Sequence, residues 1–416
     1  MERINSRLDK MNVLFLTMAR ISSLRDRGVY TDLLREFHKE GHNVFVVCPM
    51  ERREKKKTNL LKDKDGVILN IQTLNIQKTS VIEKGIGTLA IEYQFLFGIK
   101  KYFWDIKFDL IIYSTPPITF SKVISFIKKR DNAYSYLLLK DIFPQNAIDM
   151  KMMKEGSLLH KFFVKKERRL YEVSDAIGCM SKANEKFVLA HNPGISPTKV
   201  EVNPNSIFPV EINQTQAEKE SFKNKYGLPT NKKIFVYGGN LGKPQGIDFV
   251  METIEATKRE DVFFLVIGSG TEYNRMKQWF ENKQPKNAIL MKGLPKEEYE
   301  KLLRACDVGM LFLHRDFMIP NFPSRLLSYL ENKLPVLAAT DPNTDVGATI
   351  EEAGCGYGTI SGDQVSMQST MDKFCSDDEK FIQMKVNAWK LLITEYHVKH
   401  SYQLIKRRLQ NVQKFL

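Results

Sequence analysis

Short apolar runs alternate with longer helical patterns from one end of the chain to the other. This alternation is typical of parallel sheets whose strands are joined by crossover helices. In the first half of the chain, the predicted strands cover residues 12–17, 43–48, 67–71, 109–113, 133–139 and 176–180. In the second half, they cover residues 233–237, 262–267, 288–291, 308–312 and 336–338. The pattern therefore predicts an α/β chain with two Rossmann-like domains built on parallel sheets.

A chain of 416 residues is too long for one ordinary core, which favours two domains of about 200 residues each. Residues 202–216 contain Pro204, Pro209 and several Asn and Gln, so we interpret this stretch as the interdomain linker. We predict an N-terminal domain over residues 1–205 and a C-terminal domain over residues 206–376. Residues 377–416 are predicted to form a final helical segment with a basic end.

The formal charge of +14 is distributed unevenly along the chain. Residues 1–200 contain 35 Lys or Arg and 22 Asp or Glu, a net charge of +13, whereas the rest of the chain carries +1. An asymmetry of this kind indicates that the N-terminal half meets an anionic surface, either acidic phospholipid or nucleic acid.

The five cysteines are scattered and include no Cys-x-x-Cys pair, which favours a reduced, cytoplasmic protein. No apolar run approaches the ~18 residues that span a bilayer, and residues 1–10 are too polar for a signal peptide. The sequence thus predicts a protein that is soluble or lies peripherally on a membrane.

A glycine loop over residues 238–246 directly follows a predicted strand and directly precedes a helical pattern that begins at Ile247. Glycines let the backbone approach an anion closely, and the N-terminus of the following helix offers unpaired N–H groups. Lys243 adds a positive charge. The loop fits neither the Walker pattern nor the Gly-x-Gly-x-x-Gly spacing. It predicts a phosphate cradle, and a nucleoside diphosphate is the expected ligand.

A second loop and helix follow at residues 321–336 and lead into a buried strand. Pro323 suits the first helical turn, and Asn321 or Phe322 would precede it as the cap and entry residues. Two helix N-termini at the carboxyl edge of one sheet would form a crevice for a diphosphate and its attached sugar.

One helical pattern in the first half is both aromatic and basic. Its apolar positions recur at helical spacing; they are Ile91, Phe95, Gly98, Ile99, Tyr102 and Phe103. Two interpretations fit this pattern, namely a helix in a membrane interface and a core helix with a solvated lysine face. Further basic and aromatic residues at 128–130 and 161–169 favour the membrane.

The chain resembles the retaining glycosyltransferases of family four, which have the GT-B fold, over nearly its whole length. The motifs that carry the resemblance lie at residues 40–44, 175–177, 181, 202–205, 239–242, 266–270, 293, 305–308, 323–325 and 334–336. Residues 140–145 and the Gly-Asn-Leu-Gly-x-x-Gln run at 239–245 are similar to the branch that builds capsules and O-antigens. That branch includes N-acetylfucosamine transferases.

The resemblance implies two domains that face a central cleft, with the C-terminal helix crossing back to the N-terminal domain. It implies a nucleotide sugar donor, usually UDP-linked, and a polyprenyl-diphosphate-linked glycan acceptor at the inner face of the cell membrane. It implies no cofactor and no metal, and the seven histidines show no metal-ligand spacing. The implied mechanism is front-face attack with retention of configuration, in which the leaving diphosphate helps to deprotonate the acceptor.

The sequence and the resemblance together nominate three sets of site residues. The candidate catalytic residues are Asp141, Lys243 and Arg325, of which Asp141 follows a predicted strand and has the alternative of a loop or capping carboxylate. The candidate donor-binding residues are Gly239, Asn240, Leu241, Gly242, Gln245, Gly268, Gly293, Asn321, Phe322, Pro323, Ser324, Ser328 and Glu331. The candidate acceptor-binding residues are Gly28, Lys140 and Asp149.

The chain departs from the family pattern at four positions. Asn240 and Gln245 stand where the family has an arginine and a lysine, so Lys243, Arg325 and the helix ends would neutralise the phosphates. Pro320 and Ser328 stand where the family has two glutamates. Either Ser328 or Glu331 would then replace the glutamate that binds ribose.

These departures leave other functions open. One alternative is a catalytically silent GT-B partner protein, although such a protein would not need an intact glycine loop. Another is a sugar-nucleotide epimerase, which would not need a basic membrane face. Nucleic-acid binding would explain the charge, but the sequence contains no recognisable reading module.

Overall fold

A computed structural model describes residues 10–76, 79 and 81–413. The chain forms two compact units. The first unit comprises Met1–Phe208 together with Val398–Leu416, and the second comprises Pro209–His397. The division therefore falls three residues beyond the predicted boundary at residue 205.

The first unit is built on an eight-stranded sheet with the strand order β3-β4-β2-β1-β5-β6-β7-β8. All neighbouring strands are parallel except β3 and β4, which are antiparallel. The strands are β1 (Asn12–Leu16), β2 (Asn43–Glu51), β3 (Asn59–Asp63), β4 (Gly66–Thr73), β5 (Leu110–Ser114), β6 (Tyr134–Leu139), β7 (Ala176–Cys179) and β8 (Val200–Val202). The helices are α1 (Val29–Lys39), α2 (Val81–Tyr102), α3 (Ser121–Asp131), α4 (Gln145–Asp149), α5 (Leu158–Val173) and α6 (Lys182–His191). The central strands are almost wholly apolar because helices cover both faces of the sheet.

The second unit has a six-stranded, all-parallel sheet with the order β11-β10-β9-β12-β13-β14. Its strands are β9 (Lys233–Asn240), β10 (Val262–Ser269), β11 (Ala288–Lys292), β12 (Val308–Phe312), β13 (Val336–Thr340) and β14 (Gly356–Ile360). Its helices are α7 (Gln216–Lys225), α8 (Ile247–Ala256), α9 (Tyr273–Lys283), α10 (Lys296–Arg304), α11 (Arg325–Glu331), α12 (Val346–Glu352), α13 (Gln364–Cys375) and α14 (Asp378–Glu395). The predicted fold class, α/β with two parallel sheets, is confirmed.

The C-terminal segment forms two helices where the sequence predicts one. After α14 the chain turns at Tyr396, and α15 (Val398–Gln413) begins two residues later. α15 belongs to the first unit, where Tyr402 packs edge-on against Phe37 of α1, with ring centroids 4.9 Å apart. Residues 414–416 of the predicted helix lie outside the described residues.

Among the described residues, none of the helices combines the length and the apolar character needed to cross a bilayer.

Candidate functional site

The glycine loop of the second unit forms a tight turn between β9 and α8. Strand β9 ends at Asn240, and Lys243–Gln245 makes one turn of 3-10 helix. Gly246 then adopts a left-handed conformation with φ of 57°, and α8 begins at Ile247, as the sequence predicts. The loop thus brings the carboxyl end of a central strand next to the N-terminus of a helix, which is an arrangement that suits an anion.

Two glycines let other groups approach the end of β9. Gly239 has φ of 118°, and a Cβ added there would lie 3.4 Å from Nη2 of Arg325. Gly268 lies beside it on β10, and a Cβ added at Gly268 would lie only 1.9 Å from the carbonyl oxygen of Gly239. Both positions therefore require glycine, one for backbone conformation and the other for space.

Arg325 is the first residue of α11 and reaches the glycine loop. Its guanidinium lies over the ring of Tyr237, with Cζ 4.3 Å from the ring centroid, and its Nη2 donates to the carbonyl oxygen of Asn240 at 3.5 Å. Its Nη1 is buried and finds no hydrogen-bond partner among the described residues. A buried, unpaired guanidinium N–H is costly unless a ligand accepts from it.

α11 begins later than the sequence predicts. Pro323 was expected in its first turn, but the helix starts at Arg325 with Ser324 at the N-cap position. Ser324 is exposed, and its side chain makes no capping hydrogen bond. Phe322 is buried, with its ring centroid 6.3 Å from that of Tyr396, and the carbonyl of Asn321 accepts from Oγ1 of Thr344 at 2.7 Å. The Pro323 carbonyl accepts the N–H of Leu326 at 3.2 Å, so this segment is a turn that leads into the helix.

Gln245 braces the loop from within. Its Oε1 accepts from Nδ2 of Asn240 at 2.9 Å and from the N–H of Gly242 at 3.1 Å. Leu241 is fully buried, and its own N–H and carbonyl bond to Ser269 and Glu272. Lys243 is the exposed cation of the turn. The amide pair at 240 and 245 therefore holds the loop shape, in a place where the family pattern has two charged residues.

The remaining donor candidates divide between two places. Gly293 is exposed after β11, and its N–H donates to the carbonyl of Gly268 at 3.1 Å. Ser328 stands one turn along α11 from Arg325 and shares its side of the helix. Glu331 closes the same helix, where its Oε1 accepts the N–H of Val210 at 3.0 Å. The structure thus groups Ser328 with Arg325, while Glu331 fastens the start of the second unit to α11.

In the first unit, Lys140 and Asp141 follow the carboxyl end of β6. Both carboxylate oxygens of Asp141 accept from Nδ2 of Asn146, at 2.9 and 2.8 Å. Oγ1 of Thr115, at the end of β5, accepts the N–H groups of Lys140 and Asp141 at 3.0 and 3.1 Å. Burial raises the pKa of Asp141 to about 6, and the hydrogen bond from Asn146 opposes that rise. Asp141 is therefore a fixed, half-buried carboxylate whose pKa is raised toward neutrality by burial.

Lys140, the preceding residue, is a second group with a shifted pKa. Its Nζ donates to the carbonyl of Asn203 at 3.3 Å, and burial lowers its pKa to about 7. On the adjoining helix α5, burial raises the pKa of Glu167 to about 7, and Glu167 accepts from the hydroxyl of Tyr171 at 2.9 Å. Titratable residues with shifted pKa values that lie close together are typical of functional sites.

The other two acceptor candidates, Asp149 and Gly28, bond to partners of their own in the first unit. Asp149 accepts from Nε2 of Gln145 at 2.8 Å on the short helix α4. Gly28 stands before α1, where its N–H donates to Asp32 at 3.2 Å and its carbonyl accepts from Thr31 at 3.1 Å. Gly28 therefore shapes the start of its own helix.

Sequence reasoning missed Asn146 and Thr115. Oδ1 of Asn146 is buried and has no hydrogen-bond partner among the described residues. Little in the sequence pointed to these two residues, because Asn146 directly follows the 140–145 motif without belonging to it, and Thr115 lies at the end of another strand. Only the pairing of β5 with β6 brings Thr115 next to the segment that carries Asp141 and Asn146.

The stripe that favoured a membrane helix is a core stripe. Ile91, Phe95, Ile99 and Phe103 of the α2 segment are all at most 1% exposed. The prediction that this particular stripe lies in a membrane is therefore wrong, and the core-helix interpretation holds for these residues.

Among the described residues, no group of three or more His, Cys, Asp or Glu side chains is arranged to hold a metal ion.

Comparison with known proteins finds similarity to glycosyltransferases. Residues 218–390 match the family model described as glycosyl transferases group 1. The chain is 24% identical over 310 residues to the probable glycosyltransferase WbjE of Pseudomonas aeruginosa, and these residues are 72% of this chain and 74% of that protein. It is 26% identical over 175 residues to the putative colanic acid biosynthesis glycosyl transferase WcaI of Escherichia coli K12, and these residues are 41% of each protein.

Solved structures resemble the whole chain. The Anabaena Alr3699/HepE complex with UDP has a TM-score of 0.68 at 13% identity and covers 96% of this chain and 100% of that one. WaaG, a glycosyltransferase involved in lipopolysaccharide biosynthesis, has a TM-score of 0.62 at 13% identity, with 94% and 99% covered. An E. coli trehalose-6-phosphate structure bound with UDP-2-fluoro glucose has a TM-score of 0.71 at 11% identity, with 95% and 98% covered. These likenesses confirm the predicted GT-B fold.

Proposed function

We propose that this chain, a glycosyltransferase enzyme of GT-B fold, moves a sugar from a UDP-linked donor to a polyprenyl-diphosphate-linked glycan, with retention of configuration and without a metal. The second unit would bind the donor and the first the acceptor. The name of WcaI, a putative colanic acid biosynthesis glycosyl transferase, and the description of WaaG, which is involved in lipopolysaccharide biosynthesis, support a role in polysaccharide synthesis. The HepE complex with UDP supports the choice of nucleotide.

The observation that carries this proposal is the unpaired Nη1 of Arg325 at the glycine loop. The guanidinium is positioned before any ligand arrives, by the ring of Tyr237 and by the carbonyl of Asn240. One buried N–H direction is left without an acceptor. A phosphate oxygen would satisfy it with a charge-assisted hydrogen bond, which is among the stronger polar contacts in proteins.

The proposed chemistry is the one that the resemblance to retaining glycosyltransferases implies. The bond between the sugar C1 and the donor phosphate oxygen breaks, and a bond from C1 to the acceptor oxygen forms on the same face. The acceptor proton leaves to an oxygen of the departing diphosphate. Negative charge grows on that diphosphate as the bond breaks, so Arg325, Lys243 and the N-terminus of α8 would stabilise the transition state more than the ground state.

The acceptor side rests on Asp141 and its neighbours. A carboxylate held by Asn146 can accept hydrogen bonds from sugar hydroxyls without first losing rotational freedom. The net charge of +13 on residues 1–200 supports contact with an anionic membrane surface at the cytoplasmic face, where a polyprenyl-linked acceptor would lie.

Calorimetric titration with UDP and with GDP, in the presence of a chelator, tests the donor half of the proposal. We expect UDP to bind, and we expect an Arg325→Gln variant to lose at least about tenfold in affinity, since a charged hydrogen bond contributes about 1.5–3 kcal/mol. Arg259→Gln is the matched control, because Arg259 pairs with Asp261 at the other, N-terminal edge of the same sheet.

Transfer of radiolabelled sugar to an extracted lipid-linked acceptor tests the other half. Turnover with the native chain and loss of turnover in Arg325→Gln would support the transferase. UDP binding with no transfer to any acceptor would instead favour the silent partner or the epimerase, and absence of nucleotide binding would remove the proposal altogether.

A further inference from the structure

Helix α2 carries a second apolar stripe, on the side away from the core. The stripe runs at spacings of three and four residues and continues just past the helix end, and its members are 45–67% exposed. They are Ile86, Leu89, Tyr93, Phe97 and Trp104. Large apolar side chains in a continuous exposed row are uncommon on a soluble protein and mark a surface that meets a partner.

The neighbouring helix α3 joins this stripe to a basic groove. Nζ of Lys122 on α3 bonds to the hydroxyl of Tyr93 and lies 4.5 Å from its ring centroid. Nζ of Lys100 on α2 lies 4.6 Å from the ring centroid of Phe126 on α3. The surface is therefore continuous from α2 to α3, with ammonium groups set against aromatic faces.

The groove itself runs between α3 and α5. It is lined by seven Lys or Arg residues and only two Glu. The basic members are Lys122, Lys129, Lys161, Lys165, Lys166, Arg168 and Arg169. Of the two acids, Glu172 is already paired with Arg169 at 3.1 Å. At the start of α5, Leu158 and Leu159 are exposed to 87% and 55%.

A third acidic side chain of this region, Glu92, points inward. Glu92 of α2 is 1% exposed and accepts the N–H of Lys122 at 2.6 Å, and it pairs with Lys166 of α5 at 3.5 Å. The helices are thus tied together by a buried carboxylate, and their outer side carries mainly apolar and cationic side chains. Aromatic and apolar groups interleaved with lysines suit the interface of an anionic bilayer, in which rings lie at headgroup depth and ammonium groups meet phosphates.

We propose that this outer surface of α2, α3 and α5 docks the protein on an anionic phospholipid bilayer, with the α2 stripe and the start of α5 inserted and the groove lysines on lipid phosphates. The inference rests on the proposed function and specifies which face of the first unit meets the membrane. It places the segment after β6 that carries Asp141 close to the lipid surface as well, because Phe143, two residues after Asp141, packs edge-on against Phe163 of α5 with ring centroids 4.9 Å apart.

Flotation of the full chain with vesicles tests the surface. The vesicles are phosphatidylcholine alone or with about 30% phosphatidylglycerol. We expect binding to the anionic vesicles that weakens with salt, and a loss of at least about tenfold in the Leu89→Ser/Phe97→Ser variant. The matched control is Ile382→Ser/Val386→Ser, which removes two apolar residues of similar mean exposure from α14 in the second unit.

The charge contribution has its own pair of variants. Lys161→Gln/Lys165→Gln/Arg168→Gln should weaken binding to anionic vesicles and reduce its salt dependence. Lys258→Gln/Lys277→Gln/Lys286→Gln removes the same charge from exposed positions of the second unit and should change neither. All ten substituted positions are exposed, so the cores should stay intact, and thermal melting of each variant checks this.

The outcomes separate this inference from the proposed function. Unchanged vesicle binding in both first-unit variants, with UDP binding intact, would overturn the docking surface and leave the transferase standing. Equal losses in the second-unit controls would overturn it as well, as would duplex DNA binding as tight as vesicle binding. A native dimer that the Leu89→Ser/Phe97→Ser variant separates would assign the stripe to a second copy of the chain.

Discussion

The guanidinium of Arg325 lies 4.3 Å from the ring centroid of Tyr237, although three strands (β10, β11 and β12) and three helices (α8, α9 and α10) lie between the two residues in the chain. The hydroxyl of Tyr237 donates to the carbonyl of Asn240 at 2.9 Å, and that same carbonyl accepts from Arg325. Tyr237 therefore positions both the arginine and the loop that it reaches.

Replacing Tyr237 by leucine should weaken UDP binding by about tenfold, because the ring platform contributes about 0.5–2 kcal/mol and also fixes the direction of Nη1. Tyr237→Phe, which keeps the ring, should stay within about threefold of the native affinity. Calorimetry with UDP measures both values.

Phe235→Leu is the control for the loss of packing, since Phe235 is a fully buried aromatic residue on the same strand. If Tyr237→Leu and Phe235→Leu bind UDP alike, the ring has no role in positioning the arginine.

Gly239 offers a test of the loop conformation. Gly239→Ala should lower UDP affinity, because φ of 118° strains an alanine and the new methyl would contact the guanidinium of Arg325. The strain should also lower the free energy of unfolding by about 1–3 kcal/mol. Chemical denaturation and calorimetry of one protein sample give both numbers.

Gly227→Ala separates the two effects. Gly227 also has positive φ, at 66°, but a Cβ there would meet nothing within 4 Å. It should lose stability and keep UDP affinity, and a comparable loss of affinity in this variant would show that Gly239 acts through global stability.

Burial decided which strands could be predicted from the sequence. The eleven predicted strands all form, because runs covered on both sides must be apolar. Strand β3 was missed because it is an antiparallel edge strand whose residues are mostly exposed, so it carries no core pattern. β8 has only three residues, and β14 reads Gly-Tyr-Gly-Thr-Ile, where glycine obscures a strand pattern.

Helix α2 shows the limit of periodicity. Two apolar stripes lie on this helix, and only the one that is buried was identified from the sequence. Helical spacing alone does not tell which side of a helix faces the sheet. The site has the same limit, since Lys243 and the start of α8 follow from the local motif, whereas the contact between Arg325 and Asn240 bridges 85 positions.

The ionised carboxylate of Asp141 should lower the free energy of unfolding, because it is buried. Its pKa rises from the ordinary 3.8 to about 6 in the folded chain because of burial. The folded state then binds the proton more tightly than the unfolded state, so stability falls as pH rises between those values and stays lower above them. Asp141→Asn should therefore raise the melting temperature more at pH about 8 than at pH about 4.

The same substitution should lower transfer by at least about 100-fold while UDP affinity stays unchanged, since Asp141 and the glycine loop belong to different units. A stabilised variant with native transfer rates would assign Asp141 a structural role only.

Asn146, which the sequence did not single out, should tune Asp141. Its amide donates to both carboxylate oxygens, and that hydrogen bond lowers the pKa of Asp141 against the effect of burial. Asn146→Ala removes the donor, so the pKa of Asp141 should rise, and the acid limb of the pH–rate profile for transfer should move to higher pH. Gln145→Ala is the matched control, because Gln145 bonds to Asp149 from the same helix and leaves the Asp141 carboxylate untouched. A uniform drop in rate without movement of the acid limb would mean that Asn146 supports only the shape of the loop.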